Sequence, residues 1–539
     1  MLLIMTTEMK AKRKPLSFST TMRNPDRIAG FLNQMKPYEN QTLTSEVIYK
    51  IISGVIKNKL YKTNYEIGNP VYKQIFYSDE LEFTDRQVED IIEKSPQIHK
   101  EAGYEHGWES RFQTWYSLSQ EFGFVFYNKN EKIQISESGH MLIDAYNDET
   151  PNEEKIRNVF LNAMVKYQTN NPFKKNSNSN SPLVLLLKVL ELLRADSKEN
   201  EAGIFRNELS LFICWNDDDA NKLYNKIKEI RKDVGYNYSN EYMYNICLEI
   251  LGYTTEEEKN SVKKYFKMEK ICGESVDEYI RKMRSTGIVS LRGNGRFIDI
   301  NSFESKKIEY ILKNYDKILN FESKKAYYDY IGNIDSNFIS IENHVTHDVE
   351  YNIKINTLYD FVKKYTKEEI LNELLFLSSK KESKNPTFKF IPAPTRLEFL
   401  TSISLAQNLQ NCIVEPNYSI DDEGLPTMTA RGNMPDIICK DPEKFITSNI
   451  EVTLMRGRSD QINNEIIPIR RHLLSNDNNN DTTFAVFIAP YIHEDTKESA
   501  AWYKYKDNVN IYTYSIEEYI NKIRNIKYLM ELSQVEGVN

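Results

Sequence analysis

Apolar residues follow a helical spacing over much of the chain, and short segments in which apolar and polar residues alternate interrupt it. Two regions share one order of such segments. In the first, a helix (112–118) precedes a strand (121–127), a polar turn (128–131) and a return strand (132–135). In the second, the corresponding segments are 276–284, 286–291, 292–295 and 296–300. Helix, glycine, strand, polar turn and strand are typical of the end of a winged-helix module, where the glycine takes a left-handed conformation as the helix stops.

Basic residues lie in both regions. A basic hairpin beside a basic helix can follow a phosphate backbone. This pattern makes candidate DNA-binding residues of Arg281, Lys282, Arg284, Arg292, Arg296, Lys129 and Lys132. Two plainer interpretations stay open: each region is an ordinary helix and hairpin of an α+β domain, and the basic residues form a solvated face.

The pattern changes near residue 390. Residues 305–379 are helical in pattern without strong hairpin signals, and 380–386 (KKESKNP) has the composition of a linker. Beyond it, the order of predicted elements is a helix (395–411), strands at 415–420, 436–439 and 448–454, a helix carrying 465 and 470–472, and an apolar run at 484–490. A continuous apolar run predicts a strand buried on both faces.

Composition excludes several classes of protein. The chain has 539 residues, of which 40% are hydrophobic and 27% charged, so it is a globular protein long enough for about three or four domains. The apolar start (MLLIM) is too short for a signal-peptide core, and no apolar run approaches the length of a membrane span. The five cysteines are widely spaced and form no C-x-x-C pair, which argues against a disulfide framework and a structural zinc site. We therefore expect a cytoplasmic protein without a membrane association.

Two carboxylates in the region after residue 390 are candidate metal ligands. Asp436 begins one predicted strand and Glu451 lies within the next, so both side chains can converge at one edge of a sheet. Carboxylates together with a backbone carbonyl, such as that of Val452, suit Mg²⁺, which can activate water for attack on a phosphodiester. This spacing alone is weakly specific, because Pro-Asp at the start of a strand is also ordinary turn chemistry.

A set of short motifs resembles the type IIS and nicking restriction endonucleases of the AlwI, BstNBI, PleI and MlyI family. In order, the motifs are RLEFLT (396–401), GNMPD (432–436), IEVT (450–453), NEIIPIRRHL (464–473) and FIAP (487–490). Weaker resemblance extends through FGFVF (122–126), SPLVLLL (181–187) and RKMRSTGIV (281–289). The resemblance covers most of the chain and is specific from about residue 390 onward.

The resemblance implies a multidomain fold. We expect a mainly α-helical amino-terminal half with two winged-helix-like α+β DNA-recognition subdomains (1–150 and 151–305) and a helical linker (306–390). The carboxy-terminal domain (391–539) is expected to be an α/β cleavage domain of the PD-(D/E)XK type, with a central mixed sheet.

The resemblance also implies residue roles. Asp436 and Glu451 are similar to the metal-binding acids of that nuclease core, and Glu398 resembles an additional glutamate on the preceding helix. Glu465 and His472 resemble an acid and a histidine of the following helix. One departure from the general nuclease motif is Thr453, which stands where lysine is usual. Threonine carries no positive charge, so Glu465, His472, a second Mg²⁺ or a nearby Lys or Arg must then take over that role.

The function expected on this basis is Mg²⁺-dependent, type IIS cleavage of double-stranded DNA at a fixed distance outside a short asymmetric site, leaving 5′-phosphate ends. One active site per chain nicks one strand, and cutting both needs a transient homodimer or a small partner subunit. A cognate DNA methyltransferase is the expected functional partner. The alternatives are a DNA-binding regulator with an inactive nuclease-like domain and a structure-specific repair nuclease. Most of the formal net charge of −8 falls after residue 390, where the carboxylates lie, so the acidic balance does not exclude DNA.

Overall fold

The computed structural model describes most of the chain. The described residues are 13–18, 22–78, 81–148, 152–174, 178–196, 203–341, 345–432, 434–475 and 482–534. Among them, no helix combines the length and the apolar composition that crossing a bilayer requires.

Helices dominate the first two thirds of the chain. In order they are α1 (Pro25–Met35), α2 (Ser45–Lys57), α3 (Asn64–Gly68), α4 (Pro70–Tyr77), α5 (Asp85–Lys94), α6 (Trp108–Glu121), α7 (Glu137–Asn147), α8 (Glu153–Lys166), α9 (Pro182–Ala195), α10 (Leu209–Cys214), α11 (Ala220–Val234), α12 (Asn240–Ile250), α13 (Glu256–Val262), α14 (Ser275–Arg284), α15 (Ser305–Asn314), α16 (Lys324–Gly332) and α17 (Asn337–Ser340). Later helices are α18 (His347–Lys364), α19 (Lys367–Ser378), α20 (Ala393–Asn408), α21 (Arg458–Asp460), α22 (Ile467–Ser475), α23 (Glu494–Asp507) and α24 (Ile516–Asn525).

Strands are short before residue 400 and longer after it. They are β1 (Val125–Phe126), β2 (Gln134–Ile135), β3 (Ile204–Phe205), β4 (Val289–Arg292), β5 (Phe297–Ile300), β6 (Ile413–Pro416), β7 (Tyr418–Ile420), β8 (Pro426–Ala430), β9 (Ile437–Asp441), β10 (Ile446–Val452), β11 (Thr483–Ala489) and β12 (Ile511–Ser515). The expectation of a multidomain chain that is mainly helical, with a mixed sheet in its carboxy-terminal half, is confirmed.

The chain divides into two compact units. One comprises Met1–Ile56, Pro96–Tyr146 and Glu154–Asn343, and we call it the helical unit. The other comprises Lys57–Ser95, Asn147–Glu153 and His344–Asn539, and we call it the sheet unit. The four-part division expected from the sequence stays a prediction.

Both helix-and-hairpin regions of the sequence lie in the helical unit. The helix α6 leads to the antiparallel pair β1–β2, and α14 leads to the antiparallel pair β4–β5, to which β3 adds a third strand. The glycine after each helix has a positive φ, +70° for Gly123 and +80° for Gly287, as the sequence predicted. A Cβ on Gly123 would lie 2.2 Å from Cγ2 of Ile331, so close packing requires glycine there as well.

The sheet unit is built on a five-stranded mixed sheet in the order β12-β11-β10-β9-β6. Strands β10, β11 and β12 are parallel, whereas β9 runs antiparallel to both β10 and β6. The predicted apolar run forms β11, in which every residue except the partly exposed Thr483 is buried. Its Ala485, Phe487 and Ala489 pack against apolar residues of α22 and α23, and burial of each large side chain contributes roughly 1.5–3 kcal/mol.

The helix α20 is buried on all sides, which explains why its sequence shows no polar face. It packs against α18, α19, α24 and β8. Two of its buried hydroxyls donate to carbonyls of the same helix at 2.8 Å, Ser402 Oγ to Glu398 and Ser404 Oγ to Thr401. This burial brings Glu398 into the interior.

One predicted strand is wrong in its extent. The sequence predicts a single strand at 415–420, but the chain leaves the main sheet after Pro416 and pairs as β7 with β8. Asn417 lies at the break, where its N–H donates to the Asp436 carbonyl (2.9 Å) and its Nδ2 donates to the Pro435 carbonyl (2.6 Å). These bonds replace the ladder and fix the segment that leads to Asp436.

Candidate active site

Asp436 and Glu451 lie side by side at one end of the sheet. Ile450 pairs with Ile437 in the β9–β10 ladder, so the next position of the same register brings Asp436 opposite Glu451. The Asp436 N–H donates to Glu451 Oε2 (3.3 Å), and the Val452 N–H donates to Asp436 Oδ2 (2.7 Å). The hairpin therefore holds both carboxyl groups in a defined orientation. The contact recorded for Val452 is through its N–H, and a role for its carbonyl stays a prediction.

Glu398 comes to the same end of the sheet from α20. Its side chain is buried, and its two carboxylate oxygens accept from the Ala430 N–H at 3.3 and 3.1 Å. Ala430 ends β8, the partner of β7. The helix and the small hairpin thus fix this carboxylate together.

Glu465 lies on a π-helical segment, Gln461–Ile466, between α21 and α22. Thr453 acts on the Glu465 carboxyl group and opposes the rise in pKa that burial causes. Thr453 is buried, its N–H donates to the Ile488 carbonyl (3.0 Å), and its Oγ1 accepts from the Met455 N–H (3.1 Å). The residue that replaces the usual lysine is therefore part of the site and contributes only neutral hydrogen bonds.

His472 approaches Glu451 from α22. Its Nδ1 lies 3.6 Å from Glu451 Oε1, beyond a normal hydrogen bond. Burial, and then the charge of Arg471, lower the pKa of His472 below its usual value. A neutral imidazole therefore predominates at neutral pH.

The four carboxyl groups share one electrostatic environment. Burial raises the pKa of Glu398 well above its usual value, and the Asp436 charge adds to this rise. Burial and then Glu451 likewise raise the pKa of Asp436. The pKa of Glu451 rises to about 8 through burial and Glu465, and that of Glu465 to about 8 through burial and Asp436. Such groups ionise together only when positive charge compensates them.

The chemical type of the available ligand atoms fits a hard divalent cation. All four carboxyl groups offer oxygen ligands, and Glu451 Oε1 is buried without a hydrogen-bond partner among the described residues. As they stand, the described residues include no group of three or more His, Cys, Asp or Glu side chains arranged to hold a metal ion. The fit thus concerns the chemistry and charge of the donors, and we assign no coordination geometry.

Sequence reasoning missed two groups beside these carboxylates. Lys354 of α18 lies with its Nζ 5.7 Å from the ring centre of Tyr418, and Tyr418 pairs with Ala430 across the β7–β8 ladder. The charge of Glu398 also acts on Lys354 and raises its pKa against the effect of burial. No local signal in the helical pattern of 347–364 distinguishes this lysine from its neighbours, because only the packing of α18 brings it here.

The candidate DNA-binding residues of the second hairpin differ in exposure. Arg296 is exposed, whereas Arg292 donates from Nε to Asp299 Oδ2 at 2.7 Å. On α14, Arg281 lies 3.7 Å from a Glu278 oxygen, and Arg284 is buried.

The prediction that Lys282 contacts DNA is wrong, because this residue does not lie at the surface. Its side chain is fully buried, and its Nζ donates to the carbonyls of Met22 (2.7 Å) and Arg23 (2.8 Å). An ammonium used in this way fastens α14 to the segment before α1. We therefore remove Lys282 from the candidate phosphate contacts.

The first hairpin has one exposed and one paired lysine. Lys132 is exposed in the turn region. Lys129 donates to Glu109 Oε2 at 2.9 Å. Together with Arg296, Lys132 is thus available at the surface of the helical unit.

A comparison with protein-family models matches the chain to the model described as AlwI restriction endonuclease, over residues 120–359 and 337–521. No curated protein matches the chain.

Solved structures of restriction endonucleases are similar at low identity. The small subunit (R.BspD6I2) of the heterodimeric restriction endonuclease R.BspD6I is 18% identical with a TM-score of 0.24, covering 30% of this chain and 78% of that one. The BpuJ1 endonuclease binding domain, in complex with modified DNA, is 12% identical with a TM-score of 0.35, covering 60% and 97%. Restriction endonuclease FokI is 12% identical with a TM-score of 0.24, covering 97% of both chains. Because these TM-scores are low, the family assignment rests on the sequence match.

Proposed function

The chain belongs to the AlwI restriction endonuclease family, and from that premise we propose that it cleaves double-stranded DNA at a fixed distance outside a short asymmetric site. As a member of this family it is a restriction endonuclease, a site-specific DNA nuclease. We further propose that cleavage follows the type IIS pattern, depends on Mg²⁺ and leaves 5′-phosphate ends.

One observation carries the proposal: four carboxyl groups from four different elements, two of them buried and two partly buried, act electrostatically on one another at one end of a mixed sheet. Glu398 lies on α20, Asp436 precedes β9, Glu451 lies on β10 and Glu465 lies on the π-helical segment. Burying acidic groups together costs free energy, so a structural explanation would require paired cations. A site that receives a divalent cation and a phosphodiester explains the arrangement. We assign the cleavage domain to the PD-(D/E)XK type on this basis.

Within the site, the residues have separable tasks. Asp436, Glu451 and Glu398, with the Val452 carbonyl, would hold Mg²⁺. When bound, Mg²⁺ supplies charge compensation for the phosphate and lowers the pKa of an attacking water. Glu465, near Thr453, orients the attacking water and accepts its proton. His472, neutral and 3.6 Å from Glu451, donates a hydrogen bond to a phosphate oxygen or to water.

Recognition is proposed to lie in the helical unit. Its two helix-and-hairpin regions resemble winged helices, and Arg296 and Lys132 are the exposed basic residues that we assign to phosphate contacts. Recognition and cleavage in different parts of the chain account for a cut outside the recognised sequence. Cleavage of both strands then needs a second cleavage domain, from a second copy of the chain or a small partner subunit, and a cognate methyltransferase protects the host DNA.

Run-off sequencing of digested plasmid tests the proposal. The full-length protein is incubated with supercoiled plasmid and Mg²⁺, and the ends or nicks are sequenced. We expect breaks at one constant offset from one short asymmetric motif. Scattered breaks at junctions or flaps would favour a structure-specific repair nuclease, and binding without any break, with Mg²⁺ or Mn²⁺, would favour a regulator with an inactive domain.

A further inference from the structure

The carboxylate cluster lacks the lysine of the usual nuclease motif, since Thr453 occupies that position. A phosphodiester that enters a site with several carboxylates needs compensating positive charge in addition to any metal ion. The helix α18 precedes the region that contains the motifs. Its Lys354 lies on the side of the cluster where Glu398 is found.

Lys354 reaches this place through a chain of contacts. Its Nζ lies 5.7 Å from the ring centre of Tyr418. Tyr418 pairs with Ala430, whose N–H donates to both carboxylate oxygens of Glu398. The Tyr418 ring also lies edge-on to Phe399, the neighbour of Glu398, at 5.7 Å between centres. Lys354, Tyr418 and Glu398 therefore share one corner of the sheet unit.

The position of α18 is fixed along this corner. The Tyr351 hydroxyl donates to Glu415 Oε1 (3.2 Å) and Thr357 Oγ1 donates to the Glu423 carbonyl (3.1 Å). Between them, the helix meets Gly424 in the β7–β8 turn so closely that an added Cβ would lie 2.1 Å from Thr357 Oγ1. Lys354 is therefore held on a rigid support, which a site residue requires.

The ammonium is largely buried and only loosely paired. The Lys354 side chain is 12% exposed, and its Nζ lies 3.9 Å from Glu350 Oε1, longer than a hydrogen bond. Burial lowers the pKa of Lys354, Glu350 and Glu398 act in the opposite direction, and the charge of Arg431 lowers it further. A buried ammonium with such weak pairing costs stability, which indicates a use other than packing.

A second group at the corner is unsatisfied. The Tyr418 hydroxyl is buried and has no hydrogen-bond partner among the described residues, and the charge of Glu398 acts on it. A buried hydroxyl without a partner indicates a place for an oxygen atom of a ligand. The corner therefore offers a largely buried ammonium, and a hydroxyl without a partner among the described residues, near a carboxylate of the candidate site.

We propose that Lys354 is a positioning residue of the cleavage centre, which balances Glu398 and supplies the fixed positive charge that Thr453 cannot supply. This inference rests on the proposed function. It assigns the motif's missing charge to α18, a helix outside the motifs that identify the cleavage domain.

Three variants of the full-length protein separate charge from packing. K354M keeps the aliphatic stem and removes the charge, K354R keeps a positive charge, and K363M changes an exposed lysine of the same helix as a matched control. Three quantities are measured: the single-turnover cleavage rate with Mg²⁺ on the duplex identified by run-off sequencing, the affinity for that duplex with Ca²⁺ instead, and the unfolding temperature in EDTA. K354Q serves as a second charge-removing variant if K354M does not fold.

We expect K354M to cleave about 10²-fold more slowly, as when one preorganised electrostatic group is lost, with DNA affinity unchanged. K354R should recover most of the rate, K363M should match the wild-type protein, and the unfolding temperature of K354M should match that of K354R. A K354M rate equal to that of K363M overturns the proposal. So does a loss of rate in K354M and K354R alike that follows a lowered unfolding temperature, because that marks a structural role. Absence of cleavage by the wild-type protein overturns the proposed function itself, and the inference with it.

Discussion

The Val452 N–H donates a 2.7 Å hydrogen bond to Oδ2 of Asp436. The bond joins the end of β10 to the residue before β9, so the backbone of one acidic strand orients the carboxylate of its neighbour. This bond favours the ionised form, and it therefore opposes the rise in the pKa of Asp436 that burial and Glu451 cause.

Replacing Asp436 by asparagine should abolish cleavage while leaving DNA binding intact. We expect the rate to fall at least about 10³-fold, because several kcal/mol of charge stabilisation are lost. Single-turnover cleavage and a binding assay in Ca²⁺ measure the two effects. The exposed Asp460, changed to asparagine, is the control and should cleave normally. Cleavage by D436N at a rate near that of D460N would remove Asp436 from the site.

Without metal, the protein should lose stability as the pH rises. The pKa of Glu451 is raised to about 8 in the folded protein, whereas the unfolded chain ionises near the usual value of 4.5. Between these values the folded state binds more protons, so the free energy of unfolding falls with increasing pH through this window. Unfolding temperatures in EDTA from pH 5 to 8 measure this trend. E451Q should flatten it, and an equal slope in E451Q and wild type would contradict the assignment.

Gly424→Ala should detach α18 from the β7–β8 turn. Gly424 has a φ of +77°, and an added Cβ would lie 2.1 Å from Thr357 Oγ1 and 3.1 Å from the Ile353 carbonyl. Strain and overpacking should destabilise the protein by about 1–3 kcal/mol and slow cleavage through displacement of Lys354.

Gly68→Ala is the control for that prediction. Gly68 ends α3, has no atom within 4 Å of an added Cβ and does not need a positive φ. Its unfolding temperature should stay at or above that of the wild type. Equal behaviour of G424A and G68A in thermal unfolding would show that the contact with α18 does not constrain the turn.

Gln461→Leu should misplace Glu465. The fully buried Gln461 side chain donates to the carbonyls of Tyr491 (2.6 Å) and Met455 (3.3 Å) and accepts from Thr496 Oγ1 (3.0 Å), at the start of the π-helical segment. Leucine leaves these groups unpaired, so we expect a loss of about 2–4 kcal/mol and a slower cleavage step. Urea denaturation and single-turnover kinetics measure both effects. The exposed Gln410, changed to leucine, should alter neither, and normal cleavage by Q461L would show that Glu465 does not depend on this anchor.

Removal of exposed charge from the two hairpins should weaken DNA binding in a salt-dependent way. For R296A and K132A, each lost phosphate contact should reduce the slope of log affinity against log salt by about 0.9. K282M should instead lower the unfolding temperature, because its ammonium holds the Met22 and Arg23 carbonyls in the interior. Binding titrations at several salt concentrations separate the two classes. A K282M protein with full stability and a reduced salt slope would reverse the correction made for this residue.

The local pattern of apolar and polar residues was sufficient to predict the elements in which that pattern is strong. The apolar run of β11, the helix α20 and the glycines after α6 and α14 follow from residue type and spacing alone. The strands β8 and β12 were not predicted, since their mixed sequences (PTMTA and IYTYS) acquire a strand conformation only beside a partner strand. The break at Asn417 was missed for a related reason, because its bonds are to Pro435 and Asp436, which lie well beyond it in the chain.

The sequence by itself determined which residues we propose for the chemistry, because Glu398, Asp436, Glu451, Glu465 and His472 stand in motifs that resemble those of one enzyme family. Only the tertiary structure decided their mutual electrostatics, because burial and the approach of separate elements set the pKa values. Tertiary packing also decided which basic residues remain at the surface. In the sequence, Lys282 and Arg296 are both basic residues of the second helix-and-hairpin region, but the fold buries Lys282 and exposes Arg296. It brought Lys354 against Tyr418 and within the electrostatic influence of Glu398 for the same reason, because helix packing brings together residues that are far apart in the linear sequence.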